Sequence, residues 1–178
     1  MAVVINGNGA VTGLTALPDS AMAEGSIIQV KQTFKTDLFS TTSSSFVDIT
    51  GMSVEITPSS TSSKILVEVI LNSGGGSNLY AGVKLLRGST AIGLSTAVSQ
   101  SNQVNAFFGA NGANGNVKMG TFGQKFLDSP STTSATTYKL QIYCRNSKEF
   151  NLNRANSNTN GAEIVGATSS IIVYEVSA

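Results

Sequence analysis

Two stretches decide the fold: FVDITGMSVEIT, residues Phe46–Thr57, and TTYKLQIYCR, residues Thr136–Arg145. In the first, Val47 and Ile49, then Val54 and Ile56, recur at every second position, with Asp48 and Glu55 between the members of each pair. In the second, Leu140, Ile142 and Cys144 do the same around Gln141. A period of two is that of a strand with one face in a core and the other in water.

Working outward from these stretches, segments rich in Val, Ile, Phe, Tyr and Thr predict strands at Ile27–Lys35, Phe46–Thr50, Met52–Thr57, Lys64–Leu71, Ala81–Arg87 and Thr90–Thr96. Further strands are expected at Gln103–Phe108, Lys118–Leu127, Thr136–Arg145, Glu149–Asn153 and Ser169–Val176. The connectors are turn chemistry: SSTSS at Ser59–Ser63, NSGGGSN at Asn72–Asn78, ANGANGN at Ala110–Asn116 and NSNTNG at Asn156–Gly161. No amphipathic helix separates the strands, so a parallel α/β sheet has no crossovers to build it. An all-β, antiparallel β-sandwich of the jelly-roll kind is expected.

Residues 1–26 stand apart from this pattern. Their opening, VVINGNGAVTGL, resembles the strand and glycine turn of a dinucleotide site, but Val11 and Thr12 are β-branched and Pro18 blocks a helix. The last glycine is also one position late for the fingerprint. The plainer expectation is a short strand at Val3–Ile5 with Asn-Gly turns after it. A single helical turn is expected to follow, capped by Asp19 and Ser20, running to Glu24 and ended by Gly25. The segment has no second hydrophobic layer of its own and needs a partner surface.

The 178 residues suit one domain, with a net charge of +1 and 12% charged residues. The eleven Lys and Arg are scattered singly, which argues against nucleic acid as a partner. Ser, Thr and Asn supply roughly a third of the chain and make the surface polar without charge. No apolar run approaches the ~18 residues of a bilayer span, and the start MAVVINGNG lacks the regions of a signal peptide. No membrane insertion is expected.

Chemistry is sparse. There is no histidine, which removes the Ser-His-Asp and Cys-His arrangements and most zinc ligand sets. The lone Cys144, inside LQIYC, reads as a buried free thiol. Ser-Lys chemistry is formally open, for instance around Ser62, Ser63 and Lys64, but their low-complexity setting at a loop-to-strand junction favours a turn. The acids Asp19, Glu24, Asp37, Asp48, Glu55, Glu68, Asp128, Glu149, Glu163 and Glu175 lie singly and read as solvated strand faces and ends. No catalytic residue, metal site or cofactor is expected. Tyr80, Phe107 and Phe108 flank Asn/Gly loops, so Asn78, Tyr80, Asn111, Asn114 and Asn116 are candidates to face a receptor glycan. The alternative is that these aromatics are core and the loops only solvated.

Several stretches carry a family resemblance. IIQVKQTFKTDLFSTTSSSFVDITGMSVEITPSSTSSKILVEV, VKLLRGSTAIG, FLDSPSTTSATTYKLQIY, the close SSIIVYEVSA and the opening VVINGNGAVTGL are similar to modules of tail-fibre and related virion proteins of tailed bacteriophages, especially of marine and cyanobacterial hosts. The resemblance runs from Val3 to Ala178. It implies a non-enzymatic virion structural protein with a C1q/TNF-like jelly-roll knob, residues 27–178, that forms a homotrimer. Residues 1–26 would be the arm that joins other virion proteins, through Val3, Val4, Ile5, Val11, Leu14 and Leu17. Since only this short arm precedes the knob, a short tail fibre or spike, a head fibre and a capsid decoration are the expected roles. The chain would assemble in the host cytoplasm and be exposed on the released particle. A glycan-binding adhesin that attaches to the host is the alternative, and a polysaccharide depolymerase a third reading.

Overall fold

The computed structural model describes residues 4–5, 11–12, 22–75, 79–98, 103–111, 119–156 and 164–178. Near the N-terminus, β1 (Val4–Ile5) pairs antiparallel with β2 (Val11–Thr12), as the Asn-Gly dipeptides between them favour. This hairpin is a sheet of its own. The expected helical turn begins outside the described residues. Residues 22–25 form a bend and a turn that closes at Gly25, whose φ of 85° suits glycine.

The rest of the described chain is strand and loop, apart from a 3₁₀ turn at Arg145–Ser147. One sheet contains β3 (Ile27–Lys35), β4 (Phe39–Thr41), β6 (Lys64–Gly75), β10 (Met119–Asp128), β12 (Phe150–Leu152) and β13 (Ser169–Val176). The other contains β5 (Val47–Ile56), β7 (Tyr80–Arg87), β8 (Thr90–Ile92), β9 (Phe108–Asn111) and β11 (Thr136–Cys144). All pairings are antiparallel.

Long strands serve as rails for shorter ones. β13 pairs with the first part of β6 and β12 with its last residues, while β10 runs along the opposite edge. β3 and β4 extend that arrangement outward. In the second sheet β8 and β9 lie end to end along β7, opposite β11. Each sheet is therefore four columns wide. Counted in chain order, one sheet runs first–eighth–third–sixth and the other second–seventh–fourth–fifth. Successive strands thus alternate between layers, except at the β7–β8 hairpin, and this interleaving is a jelly roll.

The core lies between the two sheets and follows the period-two pattern. Ile65, Val67, Val69 and Leu71 of β6 and Ile171 and Val173 of β13 meet Val83 and Leu85 of β7 and Tyr138, Leu140, Ile142 and Cys144 of β11. Their neighbours in sequence face outward, where β6 and β13 alternate between buried and less buried residues.

Some boundaries differ from expectation. The two strands predicted at Phe46–Thr50 and Met52–Thr57 are one strand, β5. Its pairing with β11 steps from Asp48↔Gln141 to Ser53↔Lys139, so extra residues bulge out around Gly51, which has a φ of 82°. The bulge is why the buried positions change phase from Ile49 to Met52, Val54 and Ile56. The predicted strand Thr90–Thr96 ends at Ile92, where Gly93 takes a φ of 63°. Of the predicted strand Gln103–Phe108, only Phe108 is strand, because pairing with β7 spans Phe108–Asn111. β4 was not predicted at all, since a pairing of Phe39–Thr41 with β12 leaves no alternation to read.

Candidate functional surfaces

The acidic residues fall into two kinds. Among the described acids, Glu24, Asp37, Asp48, Glu55 and Glu149 are exposed, as expected, and Glu68 is half-buried. Asp128 and Glu175 depart from the solvated reading, for both are buried and hold the fold together. Tyr138 Oη donates to Asp128 Oδ2 at 2.6 Å, and Arg87 Nη1 donates to both carboxylate oxygens at 2.9 and 3.0 Å. Burial first, and then the Asp128 carboxylate, push the Tyr138 phenol far above the ordinary tyrosine range. In the same row across the sheet, on the far side of Ile65, Glu175 accepts from Gln29 Nε2 at 2.5 Å, from Ser59 N at 2.7 Å and from Ser59 Oγ at 2.6 Å. Burial alone would raise its pKa, but these bonds and one from Ser63 outweigh it and hold the carboxyl below its usual range. Both are structural joints with every acceptor turned inward.

Of the Ser-Lys candidates, Ser63 bonds Glu175 and Lys64 reaches a serine on another strand end. Lys64 Nζ donates to Ser129 Oγ at 3.0 Å, while Ser60 and Ser62 bond each other within their turn. Cys144 is fully buried against the Thr41 carbonyl, and burial pushes its thiol up to about 11. Among the described residues no group of three or more His, Cys, Asp or Glu is placed to hold a metal ion. No helix among them is long and apolar enough to cross a membrane.

Of the arm residues expected to attach the chain, Val4, Ile5 and Val11 lie in the β1–β2 hairpin, whereas Val3, Leu14 and Leu17 lie outside the described residues. The end of the arm is stapled to the sandwich: Gly25 N donates to Ser177 O, Ser177 N to Ser26 O and Ser177 Oγ to Ala23 O. Of the expected receptor-facing residues, Tyr80 and Asn111 are opposite each other in the β7–β9 pair. Asn78, Asn114 and Asn116 lie outside the described residues. Phe107 is core and Phe108 packs against it, as the alternative reading held, but Tyr80 is 52% exposed.

Two surfaces collect most of the exposed large apolar side chains. The first is the outer face of the β3–β13–β6–β10 sheet. The strand register places Val30, Tyr174, Leu66 and Leu127 in one row across the sheet, and Phe34, Ser170, Ile70 and Gly123 in another. The row between them holds Gln32, Ile172, Glu68 and Lys125, where Lys125 Nζ lies 3.3 Å from Glu68 Oε2. Five of the nine exposed large hydrophobics, Ile27, Val30, Phe34, Ile70 and Leu127, are on this face. No sequence window shows it, because its members come from four strands and only the register aligns them.

The second is a cavity of about 450 Å³ on the other sheet, lined among others by Tyr80, Gly82, Val104, Gly109, Tyr143 and Arg145. Tyr80 and Val104 are two more of the nine exposed apolar residues.

No protein-family model matches the chain, and no curated protein does. Among solved structures the chain is similar to infectious bursal virus derived T=1 particles, at 14% identity and a TM-score of 0.39, over 86% of this chain and 37% of that one. It is also similar to the VP2 subviral particle of infectious bursal disease virus, at 18% identity and a TM-score of 0.32, over 84% and 38%. The chain spans little more than a third of the length of these particle proteins. They are not bacteriophage tail-fibre or head-fibre proteins, which corrects that expectation, and the bacteriophage assignment is dropped.

Proposed function

We propose that this chain is a non-enzymatic structural subunit of a virus particle, a jelly-roll knob that assembles as a homotrimer through the outer face of the β3–β13–β6–β10 sheet. The observation that carries this reading is that face. Five side chains there expose between 37% and 59% of their surface, where a monomer would normally scatter such residues singly. Complete burial of one such side chain is worth about 1.5–3 kcal/mol, so covering the exposed half of each returns about 1 kcal/mol. Five such contributions per protomer, repeated by symmetry, are on the scale of the cost of association, about 4–15 kcal/mol. Glu68 and Lys125, in the middle of the face, are already paired with each other, and Lys64 at its end, in the Ile27–Val176 row, donates to Ser129 Oγ.

Residues 1–26 serve as the arm that joins the knob to the particle, and residues 27–178 as the knob itself. The separate β1–β2 hairpin supports this division, because it adds to neither sheet of the sandwich. The jelly-roll order of the sandwich, an architecture that capsid domains use, supports the location on a particle.

Native mass spectrometry and sedimentation equilibrium at micromolar concentration test the reading. The expected species is three times the protomer's 18.3 kDa, and Val30→Asp combined with Leu127→Asp yields a folded monomer. A wild-type chain that stays monomeric rejects the assembly, and a double variant that remains trimeric rejects this face.

A further inference from the structure

We propose that the cavity on the outer face of the β5–β11–β7–β9 sheet binds a carboxylated sugar of a surface polysaccharide. This goes beyond the assembly reading and does not depend on it, since the two outer faces of a sandwich point in opposite directions and the cavity stays open when the other face is covered.

The cavity is built by the register. Gly82 pairs with Tyr143 on one side and with Gly109 on the other, so the outward row across β11, β7 and β9 reads Tyr143, Gly82, Gly109. Two neighbouring positions without a side chain make a trough whose floor is strand backbone. A Cβ added at Gly109 would meet only the Ala81 carbonyl oxygen, at 3.8 Å, so the space above it is open. A Cβ at Gly82 would meet Ala106 Cβ at 3.3 Å and Val104 Cγ1 at 3.5 Å, so the Val104–Ala106 segment lies over Gly82 and closes that side, leaving the open floor at Gly109. Tyr143 forms the opposite wall, and Tyr80, the residue before buried Ala81, stands at the end of the trough.

The chemistry of the lining selects the ligand. Its volume of about 450 Å³ lies in the range of small-molecule sites. Tyr80 and Tyr143 offer aromatic surface to the C–H face of a sugar ring, and Ser95 offers a hydroxyl to its hydroxyls. Among the described residues of the lining, Arg145 is the one cation and none is Asp or Glu. Among the described residues Arg145 has no ion-pair partner. A guanidinium with open donors matches a carboxylate in a two-point contact. A ring with one apolar face, several hydroxyls and one carboxylate satisfies all three kinds of group.

The test is ligand-observed NMR titration of the intact protein with glucuronic, galacturonic and N-acetylneuraminic acids, against glucose and galactose as neutral counterparts. At least one acid is expected to bind with a Kd on the order of 1 mM, and at least about tenfold tighter than the neutral sugars. Arg145→Gln should remove that preference. Tyr80→Ala should weaken binding about fivefold to tenfold, with Tyr80→Phe restoring it. Gly109→Val, which fills open space with a strand-favouring side chain, should abolish binding with the thermal transition unchanged. Silence of all three acids up to about 20 mM overturns the proposal. So does equal binding of neutral sugars, and so does binding that survives Gly109→Val or that Tyr80→Ala leaves unweakened. Because Tyr80 is exposed, its variants decide the matter even where the glycine variant fails to fold.

Discussion

Glu175 joins three segments that are far apart in sequence: β13, the start of β3 through Gln29, and the turn after β5 through Ser59. Glu175→Ala leaves the Ser59 amide and hydroxyl, the Gln29 amide and the Ser63 hydroxyl without their acceptor. Gln29 keeps its bond to the Thr57 carbonyl, and the exposed Ser59 hydroxyl recovers water. About two donors then stay orphaned. At roughly 1–3 kcal/mol for each, the expected loss is about 2–6 kcal/mol. Glu175→Gln retains one acceptor oxygen but turns an NH₂ group toward Gln29 or Ser59, for a loss of about 1–2 kcal/mol. Urea unfolding at constant m-value measures both. The pH dependence supplies a second reading. The folded carboxyl titrates below its usual range, whereas in the unfolded chain it titrates near the ordinary value of about 4.3. Its stabilisation is therefore complete above that value and is lost as pH falls through the folded pKa. The difference in stability between the wild-type chain and Glu175→Gln should shrink in acid. A cost below about 0.5 kcal/mol for Glu175→Ala, or a difference that does not change with pH, refutes the reasoning.

Three further outcomes follow from the same structure. Tyr138→Phe removes the hydroxyl that donates to Asp128 and should cost about 1.5–3 kcal/mol in urea unfolding, with full stability returned by no change of salt. In alkaline absorbance titration, one of the four tyrosines should resist ionisation until the chain unfolds. Its raised folded pKa contributes stability that is present below about pH 10 and lost as pH rises beyond it. Gly51→Ala meets both a φ of 82° and Lys35 Nζ at 3.1 Å, so thermal unfolding should show a loss of about 1–2 kcal/mol. Cys144 should react with a thiol reagent only as fast as the chain opens, and rapid labelling of the native protein would contradict its burial.

The sequence by itself determined the strand content and the inward residues, because alternation at period two is local chemistry. β3 and β13 occupy the predicted residues, and Leu140, Ile142 and Cys144 are buried as their spacing implies. Strand ends were less legible where pairing sets them: Gly51 looks like a break between strands, and only the register with β11 shows it to be a bulge. The buried acids were invisible for a related reason. Glu175 alternates with apolar residues like any half-exposed carboxylate would, and its burial depends on donors from Gln29 and Ser59. Tertiary structure alone decided the two surfaces. Val30, Tyr174, Leu66 and Leu127 become one apolar row, and Tyr143, Gly82 and Gly109 one trough, only when antiparallel register sets distant residues side by side. Periodicity along a chain reports which side of a strand faces the core, whereas a surface is assembled across strands, at right angles to the direction in which sequence is read.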